Sequence, residues 1–269
     1  MNYIKFTKFK IKCYNPSMEK DTKQKISLPA SIVVAGLFIA VAILLTKGSA
    51  SGPKEKTLSE QVGVSKGEFT QCLEKANLQE LFDKTNESAE KAMSHLPQNQ
   101  RGTPYIVLVG KDGTKIELRG AIPYDDYLPT SEATVKVKGV KSIVDSMIAG
   151  KATSDYKGDL IEPNENDHII GSLDASVIIV EYSDLECPFC MKFGETAKKI
   201  VEESNGQVAW IYRHWIVHAD TTKGQYALPK AAAAECVAEI KGSEAFWKYV
   251  DLVFGLMNPK EDTSATDQL

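Results

Sequence analysis

The chain has 269 residues, 43% of them hydrophobic and 25% charged, which is enough for one or two globular domains besides a short membrane segment. Its formal net charge is −4 and no basic stripe with interleaved aromatic residues is present, so the composition argues against nucleic acid as a partner. Five cysteines are present, and their compartment decides which chemistry they can support.

An apolar segment of membrane-spanning length lies near the N-terminus. Residues 26–46 are almost entirely apolar, whereas residues 1–25 carry seven lysines against one Asp and one Glu. By the positive-inside rule, the basic tail stays cytoplasmic, residues 26–46 form a single-pass anchor in the cell membrane, and the chain after Lys47 is extracytoplasmic.

Two alternatives stay open for this segment. One is a signal peptide cleaved near residues 48–50, and the other is a true start at Met18, which would remove Cys13. In either case the other four cysteines reach an oxidising compartment, where disulfides persist: Cys72, Cys187, Cys190 and Cys236.

The first half of the exported part has mixed secondary structure. Residues 47–57 form a tether, and residues 58–96 have helical periodicity that breaks near residues 62–65. A hairpin then follows, and we expect helices at Tyr124–Leu128 and Lys141–Ala149. No element is predicted for residues 129–140. The hairpin consists of strand 104–109, turn 111–114 and strand 115–119.

The second half begins after a polar linker, residues 151–167, rich in Gly, Pro and Asn. Its elements alternate between strand and helix, and a polar tail follows from residue 258. The predicted elements are strand 177–180, helix 191–204, strand 210–213 and helices 228–241 and 243–256.

The most informative motif is Cys187-Pro188-Phe189-Cys190, which opens a helix directly after a buried strand. A Cys-x-x-Cys pair in this position is a thioredoxin-type redox arrangement. The unpaired N–H groups and the dipole of the helix N-terminus favour a thiolate, and the second cysteine lies close enough to form a disulfide. Half of a zinc site or two inert thiols remain alternatives, although no second cysteine pair accompanies the motif.

Together with other motifs, this one resembles the DsbA-type thiol:disulfide oxidoreductases, which have a thioredoxin fold with an inserted helical domain. Residues 168–269 are similar to the N-terminal half of that α/β family through residues 171–175, the cysteine motif and Arg213-His214-Trp215. Residues 58–150 are similar to its C-terminal half through Gly102-Thr103-Pro104, the hairpin and residues 120–124.

The two halves stand in the reverse of the family's order. We interpret this as a circular permutation cut within the helical domain, because residues 263–269 joined to residues 58–72 would restore a continuous helical insert. Such rearrangements are tolerated where termini lie together on a surface. A misassembled gene and a swapped dimer remain alternatives to closure within a monomer.

The resemblance implies a role for each motif residue. Cys187 would be the exposed nucleophile, Cys190 would resolve the mixed disulfide, and Pro188 suits the first helical turn. Phe189 replaces the histidine typical of strongly oxidising members, and Glu186 would oppose the thiolate by like charge. We therefore expect a less extreme redox poise than in DsbA.

Residues outside the motif complete the implied site. Pro104 matches the family's cis-proline, with a trans proline at a strand start as the alternative, and Thr103 would present its backbone to the substrate. We expect Thr103, Pro104, Pro188 and Phe189 to contact the substrate. Glu181, six residues before Cys187, would be a buried proton relay rather than a solvent-facing glutamate.

The remaining exported cysteines match a second disulfide of some DsbA-like proteins. A Cys72–Cys236 bridge would link opposite halves of the chain within the helical domain, and two buried free thiols are the alternative.

The sequence thus predicts a membrane-anchored, extracytoplasmic thiol:disulfide oxidoreductase that needs no metal or organic cofactor. Its expected substrates are exported cysteine-containing proteins, oxidised with the help of a quinone-linked oxidase or another membrane redox partner. Two alternatives remain: a reductase or isomerase fed by a membrane electron carrier, and a non-catalytic peptide-binding or chaperone module.

Overall fold

A computed structural model describes residues 56–130, 133–217 and 226–257. The predicted tail, the anchor at residues 26–46, most of the tether and the chain from residue 258 onward lie outside these ranges. Within them, no helix combines the length and the apolar character needed to cross a bilayer.

Three helices open the described chain: α1 Leu58–Gln61, α2 Lys66–Lys75 and α3 Leu78–Ala92. The break predicted near residues 62–65 separates the first two. Ser65 begins α2, because its hydroxyl accepts a hydrogen bond from the Glu68 backbone N–H (3.3 Å) and donates to the Glu68 carboxylate (2.6 Å).

The strands of both halves form one mixed sheet in the order β2-β1-β4-β5-β3. Strand β4 runs parallel to β5, whereas the other three neighbouring pairs are antiparallel. The hairpin of the first half therefore pairs directly with the strand that leads to the cysteine motif. The strands are β1 Tyr105–Gly110, β2 Lys115–Arg119, β3 His168–Ile170, β4 Val177–Ser183 and β5 Val208–His214.

Helices cover both faces of this sheet. Side chains alternate along each strand, so β4 turns Val177, Ile179 and Glu181 to one face and Ile178, Val180 and Tyr182 to the other. The second face packs on α3 through Ala89 and Ala92. The first face packs on the remaining helices, α4 Val140–Ile148, α5 Pro188–Glu203, α6 Ala227–Lys241 and α7 Ser243–Met257.

The prediction of a helix at Tyr124–Leu128 is wrong. This segment is irregular, and Tyr127 instead forms an antiparallel bridge with Val137, with N···O distances of 2.9 and 2.7 Å. A partner ten residues ahead satisfies the backbone groups that a helix would have paired locally, which periodicity does not reveal. The short edge strand β3 was also missed, because three residues carry too little pattern.

The connection at residues 151–167 is irregular but fixed by side chains. The Tyr156 hydroxyl donates to the Ala92 carbonyl at the end of α3 (2.8 Å). Near the other end, Asp167 accepts two hydrogen bonds from Arg213 of β5 at 2.7 and 2.8 Å. The segment that joins the two halves therefore crosses the domain along a defined path.

Candidate active site

The two motif cysteines lie in the turn between β4 and α5. Cys187 is the N-cap residue of α5, Pro188 is its first residue, and Cys190 lies within its first turn. The Cys187 N–H donates to the Asp184 carbonyl (3.0 Å), and the Cys190 N–H donates to the Cys187 carbonyl (3.1 Å). Proline suits this position because the first helical N–H has no partner within the helix.

The loop before β1 faces Cys187 from the other half of the chain. The Thr103–Pro104 peptide bond is cis, and the Cys187 thiol donates to the Thr103 carbonyl with an Sγ···O distance of 3.5 Å. Residues separated by 84 positions in the sequence therefore meet at the reacting sulfur. A substrate backbone placed beside Thr103 would lie next to this sulfur.

The expectation that Cys187 is exposed needs correction. Only 3% of its surface is accessible, because Thr103 and the turn before α5 cover it. The sulfur instead borders a groove of about 620 Å³ beside Phe189, which is 57% exposed. The groove has apolar and charged walls, formed among others by Glu90, Arg101, Trp215 and Val217.

The surroundings of Cys187 favour its thiolate. Hydrogen bonds from the Cys190 thiol, from the Thr103 side chain and from the N–H groups of Phe189 and Cys190 lower the pKa of Cys187 to about 6, against the opposing effect of burial. Burial and the adjacent Cys187 raise the pKa of Cys190 well above its ordinary value. The pair therefore divides into a reactive thiolate and a protonated partner.

A buried carboxyl group lies beneath the pair. Glu181 is fully enclosed, and burial raises its pKa to about 8, against the hydrogen bond from Trp210. Trp210 Nε1 donates to Glu181 Oε2 at 3.0 Å. A carboxyl group that titrates near neutral pH can accept and return a proton under working conditions.

Sequence reasoning missed the polar groups around this glutamate. Ser183 Oγ, the Tyr212 hydroxyl and Glu181 Oε1 are buried without a hydrogen-bond partner in the described structure. Strand alternation could have found them, because Glu181 and Ser183 share a face of β4 and Tyr212 stands opposite Glu181 in β5. Unpaired polar groups in an interior are unusual, and this set lies against Cys190.

From the sequence, Glu186 is expected to destabilise the Cys187 thiolate by its like charge. In the structure, this charge has a partner. The Glu186 carboxylate forms an ion pair with Lys230 of α6. No feature of the sequence indicates this contact, because 44 residues separate the partners and α6 reaches the site only through the tertiary fold.

The other two cysteines of the described residues form a bridge between distant parts of the chain. Cys72 of α2 and Cys236 of α6 are joined by a disulfide with a sequence separation of 164. Beside it, the Glu235 carboxylate contacts His168 Nε2 at 3.0 Å and His214 Nε2 at 3.4 Å. Helix α6 is therefore attached both to α2 and to the sheet.

Comparisons with known proteins support the fold. A thioredoxin family model matches residues 163–268. Short stretches of 89 to 94 residues also resemble proteins named Na(+)/H(+) antiporter NhaA: NhaA 3 of Salinispora tropica is 34% identical, NhaA 1 of Salinispora arenicola 31% and NhaA 1 of Mycolicibacterium vanbaalenii 29%. These stretches cover 33–35% of this chain but only 13–14% of those relatives.

The matched region contains β3, β4, β5 and the cysteine motif, whereas the hairpin β1–β2 that completes the sheet comes from residues before it. The mixed sheet with helices on both faces and the family match agree with each other. Residues 163–268 thus resemble a thioredoxin-like domain, and this likeness is consistent with thiol:disulfide oxidoreductase activity in general.

Proposed function

We propose that this protein is a membrane-anchored thiol:disulfide oxidoreductase that oxidises cysteines of exported proteins. The observation that carries the proposal is the Cys187 sulfur at the start of α5, with a lowered pKa, facing the Thr103 carbonyl at 3.5 Å. A good leaving thiolate beside a backbone that can align an extended peptide is the arrangement that disulfide exchange requires.

In the oxidising direction, a substrate thiolate attacks Cys187 Sγ of the Cys187–Cys190 disulfide. A substrate–Cys187 bond forms, the bond between Cys187 and Cys190 breaks, and Cys190 leaves as a thiolate. Because the pKa of Cys190 is well above its ordinary value, that thiolate takes a proton, and Glu181 is the buried acid positioned to supply it.

A second substrate thiolate then attacks the substrate sulfur of the mixed disulfide. The substrate leaves with a new disulfide, having lost two electrons, and Cys187 leaves as the stabilised thiolate. The enzyme now holds both electrons. A quinone-linked membrane oxidase or a small-molecule oxidant must remove them to restore the disulfide.

We also propose that the domain is a circularly permuted DsbA-like fold tethered outside the cytoplasm by residues 26–46. Supporting this proposal, β1 and β4 pair within one chain, and the Cys72–Cys236 bridge joins the helical segments of the two halves. A rearranged chain in which residues 168–269 precede residues 58–150 should reproduce the fold and the activity. Failure of that chain to fold would contradict the permutation.

The function itself is tested by oxidation of a reduced, unfolded substrate protein by residues 51–269, with mixed disulfides trapped by acid. Cys187→Ser should abolish turnover, whereas a peptide-binding module would keep its activity. The reduction potential separates the two directions. A value near −180 mV or above favours an oxidase or isomerase, and one near −270 mV favours a reductase.

A further inference from the structure

An ion pair between two helices stands beside the motif. Glu186, immediately before Cys187, contacts Lys230 of α6, and their side chains are only 20% and 29% exposed. Charges that are largely shielded from water are screened less by solvent than those of ordinary surface pairs. Whether the Glu186 carboxylate is paired therefore affects the stability of the Cys187 thiolate on the next residue.

Among the described residues, charged groups of both signs lie around Cys187. Asp184 lies in the same turn and accepts a hydrogen bond from the Glu186 N–H (2.8 Å), whereas Glu181 beneath the motif is largely protonated at neutral pH because its pKa is about 8. Lys192 stands over the Phe189 ring at 5.9 Å, and the groove brings one further charge of each sign, Glu90 and Arg101. Of the described cations, Lys230 is the one that contacts the carboxylate immediately before Cys187.

We propose that Lys230 is a positioning residue that holds and neutralises Glu186, so that the Cys187 thiolate is not destabilised by its neighbour. The inference rests on the proposed function only in that thiolate stability sets the redox balance of the pair. Lys230 acts through Glu186 and touches neither the substrate nor the reacting sulfurs.

The contacts that fix α6 in the fold explain how Lys230 can be held beside Glu186. Six residues after Lys230, Cys236 bridges to α2, and Glu235 contacts His168 of β3. The helix is thereby attached to its surroundings close to the lysine, which reduces the conformational entropy lost in forming the pair. The inserted helices thus contribute a charge to the active site besides covering it.

The test is a pH titration of the reduced protein by thiolate absorbance at 240 nm, followed by equilibration in glutathione buffers. Lys230→Met should raise the pKa of Cys187 by about half a unit to one unit and move the glutathione equilibrium about two- to fivefold toward the disulfide form. Lys230→Arg should retain the parent values.

Removing the carboxylate gives the opposite sign. Glu186→Gln should lower the pKa of Cys187, because the ammonium group is left without its partner, and Glu186→Gln with Lys230→Met should return near the parent. If Lys230→Met fails to fold, as judged by its thermal transition, Glu186→Gln alone still decides. Lys198→Met, which breaks a comparable α5–α7 pair with Asp251, is the control and should change neither quantity.

Unchanged titrations in both Lys230→Met and Glu186→Gln would overturn the inference while leaving disulfide exchange intact. If the parent protein exchanged no disulfides, the proposed function would fail instead. The pKa of Cys187 in the parent, in Lys230→Met and in Glu186→Gln would still show whether Lys230 has the proposed role. The two failures are therefore distinguishable.

Discussion

The two pairs of cysteines lie in contrasting regions of the same fold. Cys187 and Cys190 are three residues apart at a helix start, are both free thiols, and lie over a buried acid. Cys72 and Cys236 lie within helices of opposite halves and are bonded across 164 positions. We therefore expect the surroundings of a thiol to decide whether its disulfide is exchanged or stays closed.

The physical reason is the stability of the thiolate that each disulfide releases when it breaks. At the start of α5, N–H groups and a neighbouring thiol stabilise the negative sulfur, so breaking the disulfide there is easy. A bridge between the middles of two helices has no such donors, because the N–H groups nearby are already paired within the helices. It stays closed and links α2 to α6.

The largest expected difference between the two pairs is seen when one cysteine of the motif and, separately, both cysteines of the bridge are removed. Cys190→Ser should lower oxidation turnover more than about a hundredfold, because the variant cannot form the Cys187–Cys190 disulfide that the substrate attacks. Given a substrate that already holds a disulfide, its Cys187 thiolate should form a mixed disulfide that accumulates, because no Cys190 thiol remains to release it. Cys72→Ser with Cys236→Ser should keep turnover within about threefold. Acid-quenched gels and an oxidation assay measure both, and a mixed disulfide trapped on Cys72 would refute the division of roles.

The bridge should dominate stability instead. Closing a loop of about 165 residues restricts the unfolded chain, so Cys72→Ser with Cys236→Ser should lower the free energy of unfolding by up to about 5 kcal/mol in the chain-entropy estimate. Urea unfolding at neutral pH measures the loss. Cys187→Ser with Cys190→Ser is the matched control and should cost far less, because its loop is only a few residues long.

The buried acid beneath the motif predicts that the protein loses stability as pH rises. The pKa of Glu181 is about 8 in the folded protein against an ordinary value of 4.5. Between these values the unfolded chain has released the proton while the folded protein retains it. The free energy of unfolding of the disulfide form should therefore fall as pH rises from 4.5 to 8, by roughly 4 kcal/mol.

Glu181→Gln should remove that slope, leaving a variant more stable than the parent at pH 8 and little changed at pH 4.5. Urea titrations across this range test it, and Trp210 fluorescence reports the same ionisation because its indole donates to Glu181. A parent protein with no loss of stability over this range would place the ionisation elsewhere.

The smallest expected effect concerns an exposed apolar side chain beside each pair. Phe189→Ala should raise the KM for an apolar peptide substrate about three- to tenfold with little change in stability, because the ring is 57% exposed and lines the groove. Leu73→Ala, one residue from Cys72 and 36% exposed, is the control and should leave KM unchanged. Equal effects of both changes would remove Phe189 from the substrate surface.

Local pattern predicted much of this site. The run Val177 to Val180 and the motif that follows it predicted a strand leading into a helix, and the break in helical periodicity near residues 62–65 predicted the boundary between α1 and α2. These features depend on neighbours in the sequence. The irregular path of Tyr124–Leu128 was mispredicted because its backbone partners lie ten residues ahead.

The sequence alone predicts the cysteine pair at a helix start, because both features follow from the neighbouring residues of Cys187-Pro188-Phe189-Cys190. Only the tertiary structure decided that Thr103 covers Cys187, that Tyr212 stands beside Glu181, and that Lys230 pairs with Glu186. Packing of elements distant in sequence places these groups together, and no periodicity records which distant side chains will meet.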